Sequence, residues 1–464
     1  MFYGCRRIAV HGVPGYPPPT CLERIVNTSV PGYLTGDLAP VPDEIGAVDL
    51  PVTGTLPAEL TGRYFRNGPN PLPGRDPGHW FGGQGMIHGL RLRDGRAEWY
   101  RNRWVRTRAM TENAALIGPR GVDRTAATAN TSVIRHADRI YALVEVGLPY
   151  EMTPELDTVG PCDFGGRLTT AMTAHPKRDP ATGDLHFFGY GFLPPYLTYH
   201  RLSAAGELVE SRVVDVPGPT MVHDFAITEN HVVWLDLPVV FDKGALGHGM
   251  PFGWDDSYGA RLGVMNRPGA VTWFEVDPCY VFHVGNAWED TSGRVTVDAV
   301  RYSPGAFAEL WPRIGGAADP VAETEGAVLH RWVLDPVKGT VKEEWLDDRP
   351  VEFPTINEGR VGRANRFLYT VTDDAVVKYD VETGARQARE AGGRPGEAVF
   401  VPAAGAGVGV GAEDGGWLMS IVIDRSGDAS HLLLLDAAEL EFVASVRLPR
   451  RVPFGFHGSW LPDL

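Results

Sequence analysis

The chain has 464 residues, 43% of them hydrophobic, with 43 Lys+Arg against 58 Asp+Glu and a formal net charge of -15. That apolar content excludes a disordered chain, and the acidic excess argues against a nucleic-acid backbone as partner. Four cysteines, Cys5, Cys21, Cys162 and Cys279, share no CxxC spacing and are too few for a disulfide scaffold, which points to a reducing, cytoplasmic setting.

Residues 1–28 read as a loosely attached N-terminal extension. The apolar stretch after Arg6 and Arg7 is short and runs into Pro14, Pro17, Pro18 and Pro19, a poor signal peptide. No run approaches the ~18 apolar residues of a membrane span. Residues 29–464 read as one domain. "FRNGPNP" (65–71) is expected to form turns in which Arg66 and Asn67 fix the backbone.

From residue 139 onwards, short β-rich runs follow one another: "RIYALVEV" (139–146), "LHFFGYGF" (185–192), "HVVWLDLPVVF" (231–241), "AVTWFEV" (270–276) and "RVTVDAVRY" (294–302). "VLHRWVL" (328–334), "RFLYTVT" (366–372), "GWLMSIVID" (416–424) and "HLLLLDA" (431–437) continue the series. Turn signals with Asp and Gly separate several of them: "DPATGD" (179–184), "DPVKGT" (335–340), "DVETGA" (380–385) and "DRSGDA" (424–429). The biased stretch "PAAGAGVGVGAEDGG" (402–416) reads as a flexible turn. Hairpins repeated along one long chain predict an all-β fold, a β-propeller whose radial repetition leaves only short edges. Seven blades would take about 66 residues each, against ~40–50 for common propeller repeats, so the surplus sits in long loops massed on one face.

Of the 14 histidines, His11, His136, His200, His248, His330 and His431 stand in polar or loop-like contexts, where hydrogen bonding or surface placement accounts for them. Four others stand among apolar or small residues. They are His175 after "TTAMTA", His223 in "PTMVHDFAIT", His283 in "PCYVFHVGNAWED" and His457 in "PFGFHGSW". Each ring is expected to be buried, and a buried imidazole needs partners for its nitrogens. The gaps of 48, 60 and 174 residues fit no local zinc-finger or HExxH spacing. Ligands so scattered converge only where a fold brings distant segments to one axis, as a propeller does.

Glu145 in "YALVEVGLPYE", Glu352 in "PVEFPTIN" and Glu397 in "RPGEAVFVP" lie between strand-forming residues. Any one alone is accounted for by an outward-facing position on a half-exposed strand. Taken as a set with the four histidines, they suggest an imidazole-bound metal whose ligands donate their second ring N–H to carboxylates. All-imidazole ligation suits Fe, Cu, Zn or Ni.

The chain further resembles the carotenoid cleavage oxygenases, collinearly from about residue 30 to the end. The resemblance is carried in order by "GRYFRNGPNPLPG" (62–74) with "HWFGGQGMIHGLRLRDGRAEWYRNRWVRT" (79–107), "ANTS" (129–132), "LVEVGLPYE", "AHP", "HDFAIT", "YGARLGVMNR" (258–267), "DPCYVFHVGNAWED", "VEFPTIN", "GEAVFVP" and "VPFGFHGSW". It implies a seven-bladed propeller capped by loops and short helices over a non-haem Fe(II). His175, His223, His283 and His457 would be the ligands. Glu145 would orient His223, Glu352 His283 and Glu397 His457, with no glutamate for His175. The family uses dioxygen to cleave an electron-rich C=C bond to two carbonyl products. Thr131 matches a position whose methyl shades one open coordination site; a buried Thr bonded to backbone is the plainer alternative. His79 and His88 match family positions that are not ligands.

Departures from the family pattern are informative. Gly82 and Gln84 replace two acids of "FDGDGM", for which a structural consequence is expected, not loss of iron. Ala398 replaces a proline. Where stilbene-cleaving members place a lysine and a tyrosine against a phenol, the matching positions are Val144 and Trp104. A phenolate would lose its charge partner there, whereas an apolar polyene loses nothing. The leading expectation is therefore cleavage of a carotenoid, apocarotenoid or similar hydrophobic alkene. Stilbene or phenylpropenoid cleavage is the near alternative, and a metal-free binding scaffold the alternative of another class. Nothing favours isomerohydrolase chemistry. Apolar loops such as "FGYGFLPPYL" (188–197) and "LPVVF" (237–241) would line a substrate tunnel, touch a membrane at its periphery, or simply pack.

Overall fold

Seven antiparallel sheets follow one another along the chain and form a seven-bladed β-propeller with few helices. The computed structural model describes residues 30–463 apart from residues 120, 247–248, 268, 319, 321–324 and 405–411. The expected extension over 1–28, His11, His248 and much of the biased stretch at 402–416 lie outside the described residues.

Blades 2 to 6 each begin with the strand at one edge of the sheet and proceed strand by strand to the other. Blade 2 runs Ser132–His136, Arg139–Leu143, Tyr150–Met152 and Thr158–Pro161, and blade 3 runs Lys177–Arg178, Leu185–Tyr190, Leu197–Leu202 and Leu208–Val214. Blade 4 takes Ala226–Ile227, His231–Asp236, Arg261–Asn266 and Val271–Glu275. Blade 5 takes Tyr280–Glu289, Val295–Tyr302, Val328–Asp335 and Thr340–Trp345, and blade 6 takes Glu352–Thr355, Phe367–Val371, Ala375–Asp380 and Ala385–Glu390. Blade 7 is built on Gly393–Pro395, Val399–Pro402, Gly416–Asp424, Ser430–Asp436 and Phe442–Arg447. All nine β-rich runs seen in the sequence contain strands. The run at 231–241 divides into two, because Val239–Phe241 leaves blade 4 to pair with Phe252–Trp254.

The burial gradient follows from the radial stacking. Leu185–Tyr190 is buried on both faces, whereas the outermost strand Ala385–Glu390, "ARQARE", is exposed throughout. Three of the four Asp…Gly turns open on an aspartate whose side chain accepts backbone N–H groups, Asp179 Oδ1 taking that of Ala181. Asp335 Oδ1 accepts the N–H groups of Val337 and Lys338, and Asp380 Oδ1 those of Glu382 and Thr383. A glycine at φ near 70° then reverses the chain: Gly183, Gly339, Gly384 and Gly427.

Two seams close the ring. Val52–Gly54 pairs with Phe442–Arg447 of blade 7. In blade 1, built on Gly46–Val48, Gly62–Pro69, Gly85–Arg93 and Arg96–Trp104, the edge strand is Gly458–Pro462 from the end of the chain. Here "FRNGPNP" departs from expectation. Arg66 to Pro69 form the end of an eight-residue buried strand and not turns, since both edges of that strand are paired. Arg66 and Asn67 do fix backbone. Arg66 donates to Pro453 O, and Asn67 Nδ2 donates to Ala129 O at 2.9 Å.

The described members of the polar set, His136, His200, His330 and His431, are hydrogen-bonded and lie on strands rather than in loops, as does His186. His200 meets Thr170 Oγ1 and Ser211 Oγ at 2.8 Å each, and His186 Nδ1 lies 2.6 Å from Tyr199 Oη. Burial holds His186 down to about 3 and His200 to about 4. Their folded pKa values lie below the unfolded one, so stability is complete above about pH 6.5 and is lost as pH falls from there towards 4. Between pH 7.5 and 5.0 these two rings alone are expected to remove about 4 kcal/mol of unfolding free energy. Urea titrations at the two pH values check this, and His200→Gln should reduce the difference between them by about 2 kcal/mol.

Candidate metal centre

The site forms where the inner ends of the blades meet. His175 precedes the first strand of blade 3, and His223 precedes that of blade 4. His283 lies within the first strand of blade 5, and His457 immediately before the closing strand of blade 1. Two irregularities aim the third ring and its partner. The register of Tyr280–Glu289 slips around Phe282 and His283, and that of Glu352–Thr355 slips at Phe353. Phe353 carries φ of 54°, a left-handed conformation rare for a bulky residue. Such bulges bend a strand and redirect side chains at functional sites.

The four rings converge. His175 Nε2 and His223 Nε2 are 3.0 Å apart. Ligand atoms of His175, His223 and His283 all lie within 4.8 Å of one another. The His457 ring centroid is 4.7 Å from that of His175 and 4.8 Å from that of His283. Two imidazole nitrogens at right angles on one metal, each about 2.1 Å from it, are themselves about 3 Å apart, so the closest pair already has the spacing of shared ligation.

Three of the rings have their other nitrogen on a carboxylate. His223 Nδ1 is 2.7 Å from Glu145 Oε2, His283 Nδ1 2.6 Å from Glu352 Oε2, and His457 Nδ1 3.1 Å from Glu397 Oε1. With the N–H held there, Nε2 keeps its lone pair for a metal. No carboxylate pairs with His175 among the described residues. The donor set is neutral-nitrogen and oriented inwards, which fits a transition metal of the iron-to-zinc group.

Electrostatics separates the rings. Burial drives His175 well below the ordinary imidazole range, and the three neighbouring histidines and Lys177 push the same way. For His223, burial also opposes charge, but the Glu145 carboxylate with Asp224 and Glu352 together outweigh it and the pKa is raised. Burial wins at His283 despite Glu352, so that ring is lowered. Glu352 itself sits below the usual carboxylate range: burial pushes it up, and His283, Phe353 N–H and Tyr302 Oη together overcome that.

His457 is buried as its sequence context suggests, whereas His175, His223 and His283 are half-buried; His223, His283 and His457 face a cavity of about 720 Å³. Trp80, Phe81, Phe282, Phe353, Phe454 and Phe456 give it an aromatic wall, and Leu310 and Ile314 of the helix Pro304–Ile314 contribute from above. An apolar cleft with a few convergent polar groups is the usual form of a small-molecule site. Thr131 lines the cavity with His457, and its carbonyl accepts the His457 N–H at 3.2 Å. Its hydroxyl donates to Asn130 Oδ1 at 3.1 Å. Asn130 in turn holds Phe81 O and Gly83 O at 2.8 and 2.7 Å, within the "FGGQGM" segment.

Val144 lines the cavity as expected, but Trp104 does not. Its indole N–H donates to Asn70 O at 3.0 Å and the ring packs against Val41 and Met86, away from where the resemblance placed it. The loops at 188–197 and 237–241 are also absent from the cavity wall. Phe192 and Phe241 stack on each other at 4.9 Å, and Leu193 beside them is 65% exposed. His88 meets Tyr100 Oη at 2.7 Å and, like His79, stands apart from the four rings and the cavity wall.

Two tyrosines and an aspartate escaped the sequence reading. Tyr190 Oη donates to Glu145 Oε1 at 2.9 Å, and Tyr302 Oη to Glu352 Oε1 at 2.7 Å, each fixing the carboxylate that fixes a ring. Both sit at the end of a recognised strand, and nothing in their spacing marks them. Asp224 follows His223 directly and was visible only as part of "HDFAIT".

The family described as "Retinal pigment epithelial membrane protein" matches residues 38–462. A carotenoid cleavage oxygenase of Mycobacterium tuberculosis (strain ATCC 25618 / H37Rv) is 42% identical, over 93% of this chain and 97% of its own. A carotenoid 9,10(9',10')-cleavage dioxygenase 1 of Arabidopsis thaliana is 34% identical, over 95% and 93%. Among solved structures, a lignostilbene dioxygenase of Pseudomonas brassicacearum superposes with a TM-score of 0.81 at 28% identity, covering 93% of this chain and 98% of that one. A variant of the Synechocystis apocarotenoid oxygenase gives 0.80 at 26% identity, covering 91% and 97%. The family match spans residues of every blade, and the chain belongs to the carotenoid cleavage oxygenase family, whose members cleave carotenoid and apocarotenoid double bonds.

Proposed function

We propose that the protein is a non-haem Fe(II)-dependent dioxygenase that cleaves a C=C bond of a carotenoid, apocarotenoid or similar hydrophobic alkene, one O2 yielding two carbonyl products. The observation that carries this reading is the convergence of four imidazoles from four blades, three of which, His223, His283 and His457, line an aromatic cavity. His175, His223, His283 and His457 hold the iron, which when bound supplies the capacity to activate dioxygen. Glu145, Glu352 and Glu397 keep the Nδ1 protons of three rings and so keep Nε2 directed inwards. Phe282 lies edge-on to His223 at 5.1 Å and Phe353 stacks on His283 at 5.1 Å, which gives both rings apolar flanks. The Thr131 methyl narrows access beside His457.

The aromatic wall suits a polyene, which is held by its length and needs no ion partner. Val144 offers no charge to a phenolate, which weighs against a stilbene, while the likeness to a lignostilbene dioxygenase keeps that substrate in the test. The free thiols Cys162 and Cys279 fit a cytoplasmic setting, and the exposed Leu193 beside the Phe192–Phe241 stack fits peripheral contact with a membrane.

Anaerobic reconstitution with Fe(II), followed by O2 and a panel of carotenoids, apocarotenals and stilbenes, tests this with mass detection of aldehydes. Paired aldehydes from a polyene are expected. Stilbene cleavage alone would move the substrate class, and failure to retain iron would favour the metal-free scaffold. Glu352→Gln is expected to keep the fold and weaken iron binding by ~10–100-fold, measured by chelator competition; unchanged affinity would remove Glu352 from the centre.

A further inference from the structure

His175, the ring without a carboxylate, is held through its backbone. Ser132 Oγ donates to Ala174 O at 2.7 Å, and His175 N donates to Thr173 Oγ1 at 3.1 Å. Two residues beyond the ring, Lys177 Nζ lies 2.8 Å from Asp224 Oδ1. Asp224 is the residue after His223. Its Oδ1 also accepts the Phe225 N–H at 2.7 Å, and its Oδ2 accepts the Val284 N–H at 2.8 Å. Val284 follows His283 on the irregular stretch that aims that ring. One carboxylate, 2% exposed, is thus bonded within two residues of three imidazoles that come from three blades.

A buried ion pair is a poor device for stability alone. Apolar side chains of the same shape often serve as well or better, and the attested return of such pairs is geometric definition. Here the bonds are distributed to match that return. Each of the three donors belongs to a different ligand-bearing segment, and Met221, Val222 and Phe225 around the carboxylate are buried and apolar. The low-dielectric surroundings make each bond stiff and an unpaired member costly.

We propose that Asp224, paired with Lys177, is a positioning residue of the metal centre that fixes His175, His223 and His283 relative to one another. This rests on the reading that those rings hold Fe(II). The pair does for His175, through the backbone, what the three glutamates do for the other rings.

The test uses the full chain. Lys177→Gln, Asp224→Asn and the double variant are compared with the parent protein by three measurements. These are anaerobic Fe(II) affinity by chelator competition, ligand-field absorption of the Co(II)-loaded form, and thermal unfolding of the apo form. A cobalt-substituted form of the Synechocystis apocarotenoid oxygenase has been solved, which supports Co(II) as the probe. Lys177 is 19% exposed at its side chain, so Lys177→Gln decides the matter even if Asp224→Asn fails to fold. It is expected to lower Fe(II) affinity about 10-fold or more and to shift the Co(II) bands, with the apo melting temperature within a few degrees of the parent. The double variant should bind no more weakly than the worse single one, because the pair acts as a unit. Unchanged affinity and bands in Lys177→Gln, or a loss of affinity that only tracks a fall in apo melting with unchanged bands, would overturn the proposal. If the parent protein binds neither metal, the ligand reading itself fails, and the positioning role with it.

Discussion

His283→Ala is expected to leave a folded protein that retains no Fe(II) after desalting and produces no aldehyde. The ring supplies one donor of the proposed four, so its loss should exceed the ~10–100-fold that losing an outer partner costs. It also strands Glu352, whose oxygens would keep the Tyr302 hydroxyl and the Phe353 N–H but lose the imidazole. A stranded buried carboxylate is costly, yet two donors remain and the side chain borders a cavity that admits water. The fold should therefore survive with a lowered melting temperature. Iron content by metal analysis, far-UV circular dichroism and product mass together check the outcome. A variant that keeps iron at parent affinity would remove His283 from the centre and, with it, the functional reading.

How much of this was legible in the sequence depended on the range of the interaction involved. Strands such as "GWLMSIVID" and turns such as "DVETGA" are local, written in β-propensity and in the left-handed glycine, and they appeared where expected. The histidines were legible because a ring among apolar residues is expensive without partners, and four such rings in one chain demand a common solution. The glutamates followed for the same reason. Tyr190 and Tyr302 were not legible: an aromatic residue closing a strand is ordinary, and its hydroxyl acquires meaning only once a distant carboxylate is placed 2.7–2.9 Å away. "FRNGPNP" misled because Asn, Gly and Pro signal turns locally. Pairing on both edges, with Gly85–Arg93 and with a strand almost 400 residues later, overrode that preference. Trp104 was misplaced by the resemblance alone, since nothing in its own surroundings distinguishes a cavity wall from a packed core.

Removing residues 451–464 is expected to destroy the folded protein, whereas His457→Ala should destroy only the metal site. The segment buries Val452, Phe454 and Leu461. At about 1.5–3 kcal/mol for each fully buried apolar side chain, those three alone approach the ~5–15 kcal/mol net stability of a typical domain. It also supplies the strand Gly458–Pro462 that seals blade 1, with Arg135 Nη1 donating to Pro462 O at 2.6 Å and Arg63 Nη1 to Asp463 Oδ1 at 2.9 Å. Without it, one edge of the buried strand Gly62–Pro69 would lie open and ready to pair with another chain. The truncated protein should thus appear in the insoluble fraction or elute as aggregate. His457→Ala keeps every backbone bond of the seam, from Asn67 N to His457 O at 3.0 Å and from His457 N to Thr131 O at 3.2 Å. It should elute as the parent does, with iron lost. Because Gly458 N donates to Glu397 Oε2 at 2.8 Å independently of the ring, that carboxylate keeps a partner in the point variant and loses both in the truncation. A soluble, cooperatively melting truncation would show that the ring of blades closes without this strand, leaving the last residues of the chain to serve the metal alone.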